Sequence, residues 1–174
     1  MNNLLSDTRQ KILQRSELVA LVRQRQQAGE RAVCTNGCFD LLHVGHIRYL
    51  QEARNLGDFL VLCLNSDESV RRLKGPGRPL VAEMERAEIL AALSCIDYVT
   101  IFGEATAGPL MSLLRPAIYV KGGDYAGPQH DLPDVERLPE ASIVQEYGGI
   151  VRLIAYVPQH STTELIAAIK RLPS

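Results

Sequence analysis

The feature that most restricts the fold of this chain is the apolar run Phe59–Leu64, in which no polar residue interrupts the sequence FLVLCL. A strand with one solvent-exposed face alternates apolar and polar residues, whereas a strand covered on both faces does not. Continuous apolar strands are typical of parallel sheets, whose helical crossovers cover both faces. Shorter segments that also predict strands lie at 32–34, 97–102, 117–120 and 150–155. The sequence therefore predicts an α/β protein built on a parallel sheet.

Helix-forming segments separate the predicted strands. They cover residues 8–28, 44–55, 83–93 and 109–114, and further helices begin at Ser66, Pro139 and Ser161. This alternation predicts a single Rossmann-like open parallel sheet with helices on both faces. We expect two parts, an N-terminal helical extension at 1–30 and the sheet-bearing domain at 31–174. Ligands of such sheets bind beyond the carboxyl ends of the strands.

Composition and charge argue against two classes of partner. The net charge is −1, Trp is absent and aromatic residues amount to 5%, so we expect no surface for nucleic acid. The basic residues that do cluster are Arg71, Arg72, Lys74 and Arg78. No segment approaches the ~20 consecutive apolar residues of a membrane span, and the N-terminus lacks the apolar core of a signal peptide.

The four cysteines form no C-x-x-C pair, so we expect reduced thiols and a cytoplasmic protein.

The segment Thr35–His46, TNGCFDLLHVGH, carries the densest set of candidate functional groups. It leads from a predicted strand into a predicted helix, and a helix N-terminus attracts phosphate. His43 and His46 lie three residues apart on one helix face, so both imidazoles can donate hydrogen bonds to one phosphoryl group. Taken alone, the pair has a simpler interpretation, in which one histidine caps a turn and the other is solvated. Zinc is a further alternative, but no third ligand with suitable spacing is evident.

Several motifs occur in an order that makes the chain similar to a known family. They are Gly37–Asp40 with His43–His46, Asn65–Asp67, Arg72–Gly75, Lys121–Tyr125 and Ser161–Thr163. Together they resemble the cytidylyltransferase-like nucleotidyltransferase superfamily with its H-x-G-H signature. Within that superfamily they resemble the adenylyltransferase domain of ADP-heptose synthesis, which acts on D-glycero-β-D-manno-heptose 1-phosphate. The resemblance implies that 31–174 is the nucleotidyltransferase domain, and we expect the stand-alone form because the chain is too short for a fused sugar kinase.

The resemblance implies a reaction in which a sugar-phosphate oxygen attacks the α-phosphorus of ATP and pyrophosphate leaves. It implies catalytic roles for His43, His46 and Lys74. The residues expected to bind the nucleotide are Asn36, Gly37, Cys38, Phe39, Gly45, Lys121, Gly123, Asp124, Ser161, Thr162 and Thr163. Asp40 is expected to bind the substrate, and Arg86 is a candidate phosphate ligand. Mg²⁺ is expected to accompany ATP without a protein ligand that we can name, and the resemblance makes a homodimer possible.

Some of these residues also fit purely structural roles. Ser161 and Glu164 form a capping box, which begins a helix without any ligand. Thr162 and Thr163 can bind phosphate at the same helix N-terminus, so the two roles are compatible. The segment Lys121–Asp124 is a turn sequence, and it is also a glycine-containing surface against which a nucleotide can pack.

Three charged candidate residues can likewise have either a functional or a purely structural role. Lys74 lies beside the glycine-proline loop (Gly75–Pro79) and can be a mobile cation for phosphates or an ordinary solvated lysine. Arg86 can bind phosphate or pair with Glu83 on the helix surface. Asp40 can cap the helix or organise the acceptor and the phosphates.

Other functions fit the sequence less well. A glycerol-3-phosphate cytidylyltransferase shares the H-x-G-H and S-T-T elements, but it typically carries R-T-x-G-I-S-T-T, where this chain has Val157–His160 before Ser161. The segment Val120–Tyr125 also looks more like the heptose enzyme. A nucleotide-binding module without turnover has less need of the histidine pair and Lys74. An NAD-dependent oxidoreductase is disfavoured because the first strand-to-helix turn lacks G-x-G-x-x-G.

Overall fold

The computed structural model describes residues 7–122, 137–155 and 162–172. Within these ranges one sheet is formed by the strands β1 (Ala32–Gly37), β2 (Phe59–Asn65), β3 (Tyr98–Phe102), β4 (Ile118–Gly122) and β5 (Ile150–Ile154). The strands lie in the order β3-β2-β1-β4-β5, and every neighbouring pair is parallel. The prediction of an open parallel sheet is confirmed.

Helices connect the strands. The described α-helices are α1 (Arg15–Gln27), α2 (Val44–Arg54), α3 (Asp67–Lys74), α4 (Glu83–Ala91), α5 (Gly108–Leu114), α6 (Glu140–Glu146) and α7 (Thr162–Ile169). Ser66 caps α3 as predicted, because its hydroxyl accepts a hydrogen bond from the Ser69 N–H at 3.2 Å. None of the helices in the described ranges has both the length and the apolar composition that a membrane crossing requires.

Different helices cover the two faces of the sheet. Phe59, Val61 and Cys63 of β2 pack in a core cluster with side chains from α1, α5 and α6. The leucines between and after them pack in a second cluster with side chains from α2 and α4. Every residue of β2 is buried, which explains why its sequence contains no polar alternation. The prediction of helices on both faces is therefore confirmed.

The order of the strands reverses at β1. β2 and then β3 lie on one side of β1, whereas β4 and then β5 lie on the other. α2 follows β1 and packs on one face of the sheet, whereas α6, the next described helix after β4, packs on the opposite face. The carboxyl ends of β1 and β4 are therefore the position where ligands of such sheets bind.

The N-terminal segment departs from the prediction of one helix over residues 8–28. A 3₁₀ turn covers Thr8–Lys11. Before α1 begins, Ile12 forms a parallel bridge with Val99, and the Leu13 N–H donates a hydrogen bond to the Val99 carbonyl at 2.9 Å. The continuous helix is interrupted because this extended backbone pairs with the edge strand β3.

The helix α1 packs directly on the sheet. Leu18 and Val22 are fully buried in the core cluster that also contains α5 and α6. The Arg25 guanidinium lies 4.0 Å above the centre of the Phe59 ring. After α1, Gly29 has a φ of +89°, in the left-handed region that favours glycine and is common just after the end of a helix.

The buried cysteines are part of the core. Cys34 and Cys63 are fully buried free thiols. Burial raises the pKa of both, that of Cys63 to about 12. Both thiols are therefore neutral at pH 7 and act as small apolar side chains, as the sequence predicts.

Candidate active site

A cavity of about 700 Å³ lies at the crevice between β1 and β4. Its walls come from the loops that follow β1 to β4 and from the starts of α2, α6 and α7. The residues predicted from the sequence that line it are Asn36, Gly37, Cys38, Phe39, Asp40, His43, Gly45, His46, Lys74, Lys121 and Thr162. The fold thus brings most of the candidate residues into one cavity.

The turn after β1 is shaped by Gly37 and Phe39. A Cβ atom at Gly37 would lie 2.8 Å from the Phe39 ring, so only glycine fits there without a shift. Phe39 has a φ of 43°, in the left-handed region that is uncommon for residues other than glycine. Its ring is 7% exposed, and its centre lies 5.2 Å from the centre of the His46 ring. The close turn therefore places an apolar ring against one of the two histidines.

His43 and His46 lie side by side in the cavity. His43 immediately precedes α2, and His46 lies in its first turn. The two rings stack, with their centres 3.8 Å apart and their planes inclined by 28°. Burial, and to a smaller extent the neighbouring His43, lowers the pKa of His46 to about 4. The His46 imidazole is therefore neutral at pH 7, and its buried Nδ1 atom has no hydrogen-bond partner among the described residues.

This geometry does not support the simpler interpretation of the histidine pair. The His43 side chain makes no capping hydrogen bond to the described residues of α2, and His46 is partly buried rather than solvated. Two imidazoles at a helix N-terminus offer N–H donors where the helix dipole favours an anion. Zinc gains no support either, because the described residues contain no group of three His, Cys, Asp or Glu side chains that could hold a metal.

Lys121 connects the ends of β1 and β4. Its Nζ atom donates to the backbone carbonyl of Asn36 at 3.3 Å and to the Asn36 side-chain oxygen at 3.2 Å. The Tyr119 hydroxyl donates to the same side-chain oxygen. Lys121 is only 8% exposed. The amine therefore fixes the floor of the crevice, and its role in nucleotide binding stays a prediction.

Asp40 connects the loop after β1 to the far end of the glycine-proline loop. Its Oδ1 atom accepts hydrogen bonds from the N–H groups of Leu80 and Val81 at 2.8 and 3.0 Å, and its Oδ2 atom accepts one from Arg78. Burial raises the pKa of Asp40, but the hydrogen bonds from Val81, Arg78 and Leu80 outweigh burial and hold the pKa below its usual value. The carboxylate positions this loop, and its predicted contact with substrate stays a prediction.

Lys74 differs from Asp40 because it is exposed. It is the last residue of α3, directly before the glycine-proline loop, and it lines the cavity. Burial raises the pKa of the Cys38 thiol, and the nearby Lys74 opposes that effect. The ammonium therefore lies close to the β1 loop, although its predicted catalytic role stays a prediction.

The position of Arg86 corrects the sequence interpretation. It is 1% exposed and does not line the cavity among the described residues. Its guanidinium donates to the carbonyls of Val81 at 2.9 Å, Cys38 at 2.6 Å and Asn65 at 2.9 Å and to Asp67 Oδ1 at 2.7 Å. The predicted surface pair with Glu83 is wrong, since Glu83 instead accepts a hydrogen bond from the Asp67 N–H at 2.6 Å. Arg86 joins the loops beneath the cavity, and this placement gives no support to a direct phosphate contact.

The predicted motif at α7 is described only in part. Thr162 lines the cavity, and its hydroxyl donates to the Leu41 carbonyl at 3.4 Å. This contact joins the start of α7 to the loop that carries the histidines. Gly123, Asp124 and Ser161 lie outside the described residues, as does the Thr163 side chain. Their predicted roles stay predictions.

The sequence interpretation missed several residues that line the cavity, among them Tyr49, Thr106, Arg137 and Glu140. The Tyr49 hydroxyl lies 2.6 Å from Thr35 Oγ1 and donates to the Val120 carbonyl at 2.9 Å. Its position three residues after His46, on the same helix face, was an available signal. Glu140 had no such signal, because an acidic residue in the first turn of a helix is ordinary.

The described residues do not form a carboxylate cage for magnesium. They contain no cluster of acidic and other metal-binding side chains, and both oxygens of Asp40 already accept hydrogen bonds. Mg²⁺ usually keeps several waters and binds mainly to the phosphates of a nucleotide. The described residues therefore offer no set of protein ligands for magnesium, and the expected Mg²⁺ stays a prediction.

Comparison with curated proteins finds similar sequences that align over most of this chain. The chain is 52% identical over 164 residues to the bifunctional protein HldE of Pelobacter propionicus, an alignment that covers 94% of this chain and 32% of HldE. It is 54% identical over 159 residues to HldE of Syntrophotalea carbinolica, covering 91% of this chain and 31% of that protein. The chain thus spans about a third of the length of the curated relatives it matches.

Solved structures and a family model place the fold. A lipopolysaccharide core biosynthesis protein from Thermoplasma volcanium has a TM-score of 0.58 and 28% identity, covering 74% of this chain and 98% of its own. Pantothenate synthetase from Thermus thermophilus has a TM-score of 0.52 and 18% identity over 83% of this chain and 60% of its own, a likeness of fold alone. The cytidylyltransferase-like family model matches residues 34–168, which include β2 to β5, most of β1 and the stacked histidines. The chain belongs to the cytidylyltransferase-like family.

Proposed function

We propose that this chain is a nucleotidyltransferase that joins the adenylyl group of ATP to D-glycero-β-D-manno-heptose 1-phosphate and releases ADP-heptose and pyrophosphate. The observation that carries the proposal is the stacked pair His43 and His46 at the start of α2, inside the cavity at the crevice between β1 and β4. Membership in the cytidylyltransferase-like family and the identity with HldE over most of this chain support the same type of reaction.

The proposed reaction needs no covalent enzyme intermediate. A phosphate oxygen of the sugar 1-phosphate attacks the α-phosphorus of ATP, and a new O–P bond forms. The bond from the α-phosphorus to the oxygen bridging to the β-phosphorus breaks, and pyrophosphate leaves with that electron pair. Positioning of the two phosphates and stabilisation of the developing charge account for most of such catalysis.

The histidine pair fits the charge that develops in this reaction. His46 is neutral before the substrate binds, so it can donate one N–H without the repulsion that two adjacent cations would cause. Gly45 lies between the two histidines in sequence and leaves the first turn of α2 open to a phosphate. The N–H groups of that turn add a positive helix end. We assign the α-phosphate of ATP to this position.

Lys74 supplies the positive charge that a neutral His46 lacks. It is exposed at the cavity rim, at the start of the glycine-proline loop whose far end is held by Asp40. A long flexible ammonium next to a held loop can follow the leaving pyrophosphate. We therefore assign Lys74 to the β- and γ-phosphates, with magnesium as part of the triphosphate substrate.

The choice of substrates rests on the sequence resemblance. The segment Val120–Tyr125 looks like the heptose enzyme, and Val157–His160 differs from the arginine-containing stretch of glycerol-3-phosphate cytidylyltransferases. We propose that the protein acts in the cytoplasm on these two water-soluble phosphates, without a nucleic-acid or membrane partner. A homodimer is a further proposal, which sedimentation analysis of the pure protein tests.

The test is pyrophosphate release with ATP or CTP, each combined with heptose 1-phosphate or glycerol 3-phosphate. We expect release only with ATP and heptose 1-phosphate, and a mass spectrum with the product ADP-heptose. Release with CTP and glycerol 3-phosphate would instead identify a glycerol-3-phosphate cytidylyltransferase. If all four combinations are silent although calorimetry detects nucleotide binding, the proposal is rejected in favour of a binding module.

A further inference from the structure

The cavity has two walls that lie on opposite faces of the sheet. One wall is the start of α2, which packs in the core cluster that also contains α4. The other wall is formed by the loop after β3 and the start of α6, and α6 packs on the opposite face with α1 and α5. The second wall carries Thr106 and Glu140, and the phosphate chemistry proposed above uses neither.

Glu140 is a buried acidic residue at this second wall. It is 5% exposed, is the first residue of α6 and lines the cavity. Its Oε1 atom accepts a hydrogen bond from the Ala107 N–H at 2.8 Å, just before α5. Among the described residues, no ion pair includes Glu140 and no donor reaches Oε2. A carboxylate oxygen that faces the cavity can accept a hydrogen bond from a bound ligand, and a bond to a charged group is among the stronger ones.

The chemistry of this wall selects one kind of ligand group. A carboxylate accepts hydrogen bonds and repels phosphate, so it fits a hydroxyl or an amine. The Thr106 hydroxyl oxygen accepts from the Gly108 N–H at 3.3 Å, which leaves its own proton to donate to a ligand oxygen. Hydroxyl groups both donate and accept. A polyhydroxylated sugar therefore matches an acceptor and a donor placed next to each other.

The position of this wall favours the acceptor sugar over the nucleotide. The residues assigned to the nucleotide lie at the ends of β1 and β4, at the end of α3 and at the starts of α2 and α7, and none of them follows β3. Thr106 follows the edge strand β3, and Glu140 accepts a hydrogen bond from the segment after β3. We propose that Glu140, assisted by Thr106, binds hydroxyl groups of the sugar-phosphate acceptor and selects for a sugar. This inference rests on the proposed function.

The test separates binding of the two substrates. Glu140→Gln keeps an oxygen that can accept from the Ala107 N–H and removes the negative charge. We expect the KM for heptose 1-phosphate to rise roughly tenfold, the change expected when a hydrogen bond to a charged group is weakened. The KM for ATP should stay within about twofold of the parent, since the ATP assignment does not use this wall. The matched control is Glu146→Gln, an exposed position on the same helix.

Each outcome decides the inference. A rise in the KM for heptose 1-phosphate alone, with unchanged Tm, supports it. A rise in the KM for ATP alone would assign Glu140 to the nucleotide, and unchanged KM values for both substrates would remove its binding role. If the parent protein releases no pyrophosphate with any sugar phosphate, the proposed function fails and the acceptor site fails with it. If the parent is active and Glu140→Gln has the KM values of the parent, the acceptor site is rejected but the proposed function is not.

A second residue keeps the test informative if Glu140→Gln lowers the Tm. Thr106→Val removes the hydroxyl but keeps the branched shape, whereas Thr106→Ser keeps the hydroxyl. We expect the valine variant to raise the KM for heptose 1-phosphate several-fold and the serine variant to stay near the parent. Equal KM values in the two variants would contradict a hydroxyl contact with the sugar.

Discussion

Arg86 and Lys74 are basic residues close to the same loops, yet only one of them is available to a ligand. Arg86 is buried, and its guanidinium donates to a carbonyl after β1, to the carbonyl of the last residue of β2, to a carbonyl before α4 and to Asp67. Lys74 is exposed at the end of α3 and lines the cavity. The comparison indicates that a cation whose donors are already used inside the protein supports the fold, whereas an exposed cation beside the cavity is available to a ligand.

The first prediction tests the structural half of this comparison. Arg86→Ala should lower the free energy of unfolding by about 4 kcal/mol, because it leaves the buried Asn65 carbonyl, two partly buried carbonyls and Asp67 without their donor. Urea denaturation followed by circular dichroism measures this change. Arg71→Ala, an exposed position on α3, is the control and should stay near the parent. Parent-like stability combined with lost activity would make Arg86 a ligand-binding residue, as the sequence first indicated.

The second prediction concerns the histidine pair, which we expect to affect turnover at pH 7 rather than stability or ATP affinity. His46→Ala should lower kcat by roughly a hundredfold, the effect of removing one preorganised donor from a transition state. Its Tm and its affinity for ATP should change little. Stopped-flow measurement of pyrophosphate release, with calorimetric titration of ATP, gives both quantities. Retained turnover would remove the proposed phosphate contact of His46.

The third prediction addresses Lys74 directly. Lys74→Ala should slow the chemical step by about tenfold, while the KM for the sugar phosphate changes less and the Tm stays constant. Lys74→Arg should recover part of the rate, because the charge is kept on a side chain with different geometry. Pre-steady-state rates equal to those of the parent would place Lys74 among ordinary solvated lysines.

The fourth prediction concerns the pH dependence of stability. The pKa of His46 is lowered to about 4 in the folded protein, whereas an unfolded histidine has a pKa of about 6.5. Between these values the unfolded chain binds more protons, so the stability contributed by neutral His46 is present above pH 6.5 and is lost as pH falls toward 4. The slope is at most about 1.4 kcal/mol per pH unit. Urea denaturation from pH 7 to 4 measures how the free energy of unfolding depends on pH. This dependence should be weaker in His46→Asn than in the parent, and an equal dependence in both would contradict a buried neutral His46.

The sequence predicts the sheet and the histidine pair because both depend on local patterns. The continuous apolar run indicates burial on both faces, and the spacing of His43 and His46 places them on one helix face. The contacts of Asp40 with Leu80 and Val81 could not be predicted in this way, since they depend on how two distant loops meet. The prediction that Arg86 pairs with Glu83 on the surface was wrong for the same reason.

Weak local signals account for the other misses. The bridge of Ile12 to Val99 adds only one pair to the sheet edge, and a single apolar residue before a helix gives no strand pattern. The sequence around Arg86 did contain a usable signal. Ala87, Leu90 and Ala91 lie on the same helix and are buried, so an arginine beside that apolar stripe is a candidate for an internal role.

The packing of α1 has a consequence for where this protein can be divided. The family model begins at residue 34, but the buried side chains of Leu18 and Val22 and the stacked Arg25 lie outside it. Removing residues 1–30 would expose the apolar surface that α1 covers. We propose that the described part of this extension and the domain at 31–174 form one cooperative folding unit. A boundary drawn from sequence similarity would therefore cut through a thermodynamic unit and yield an aggregation-prone fragment.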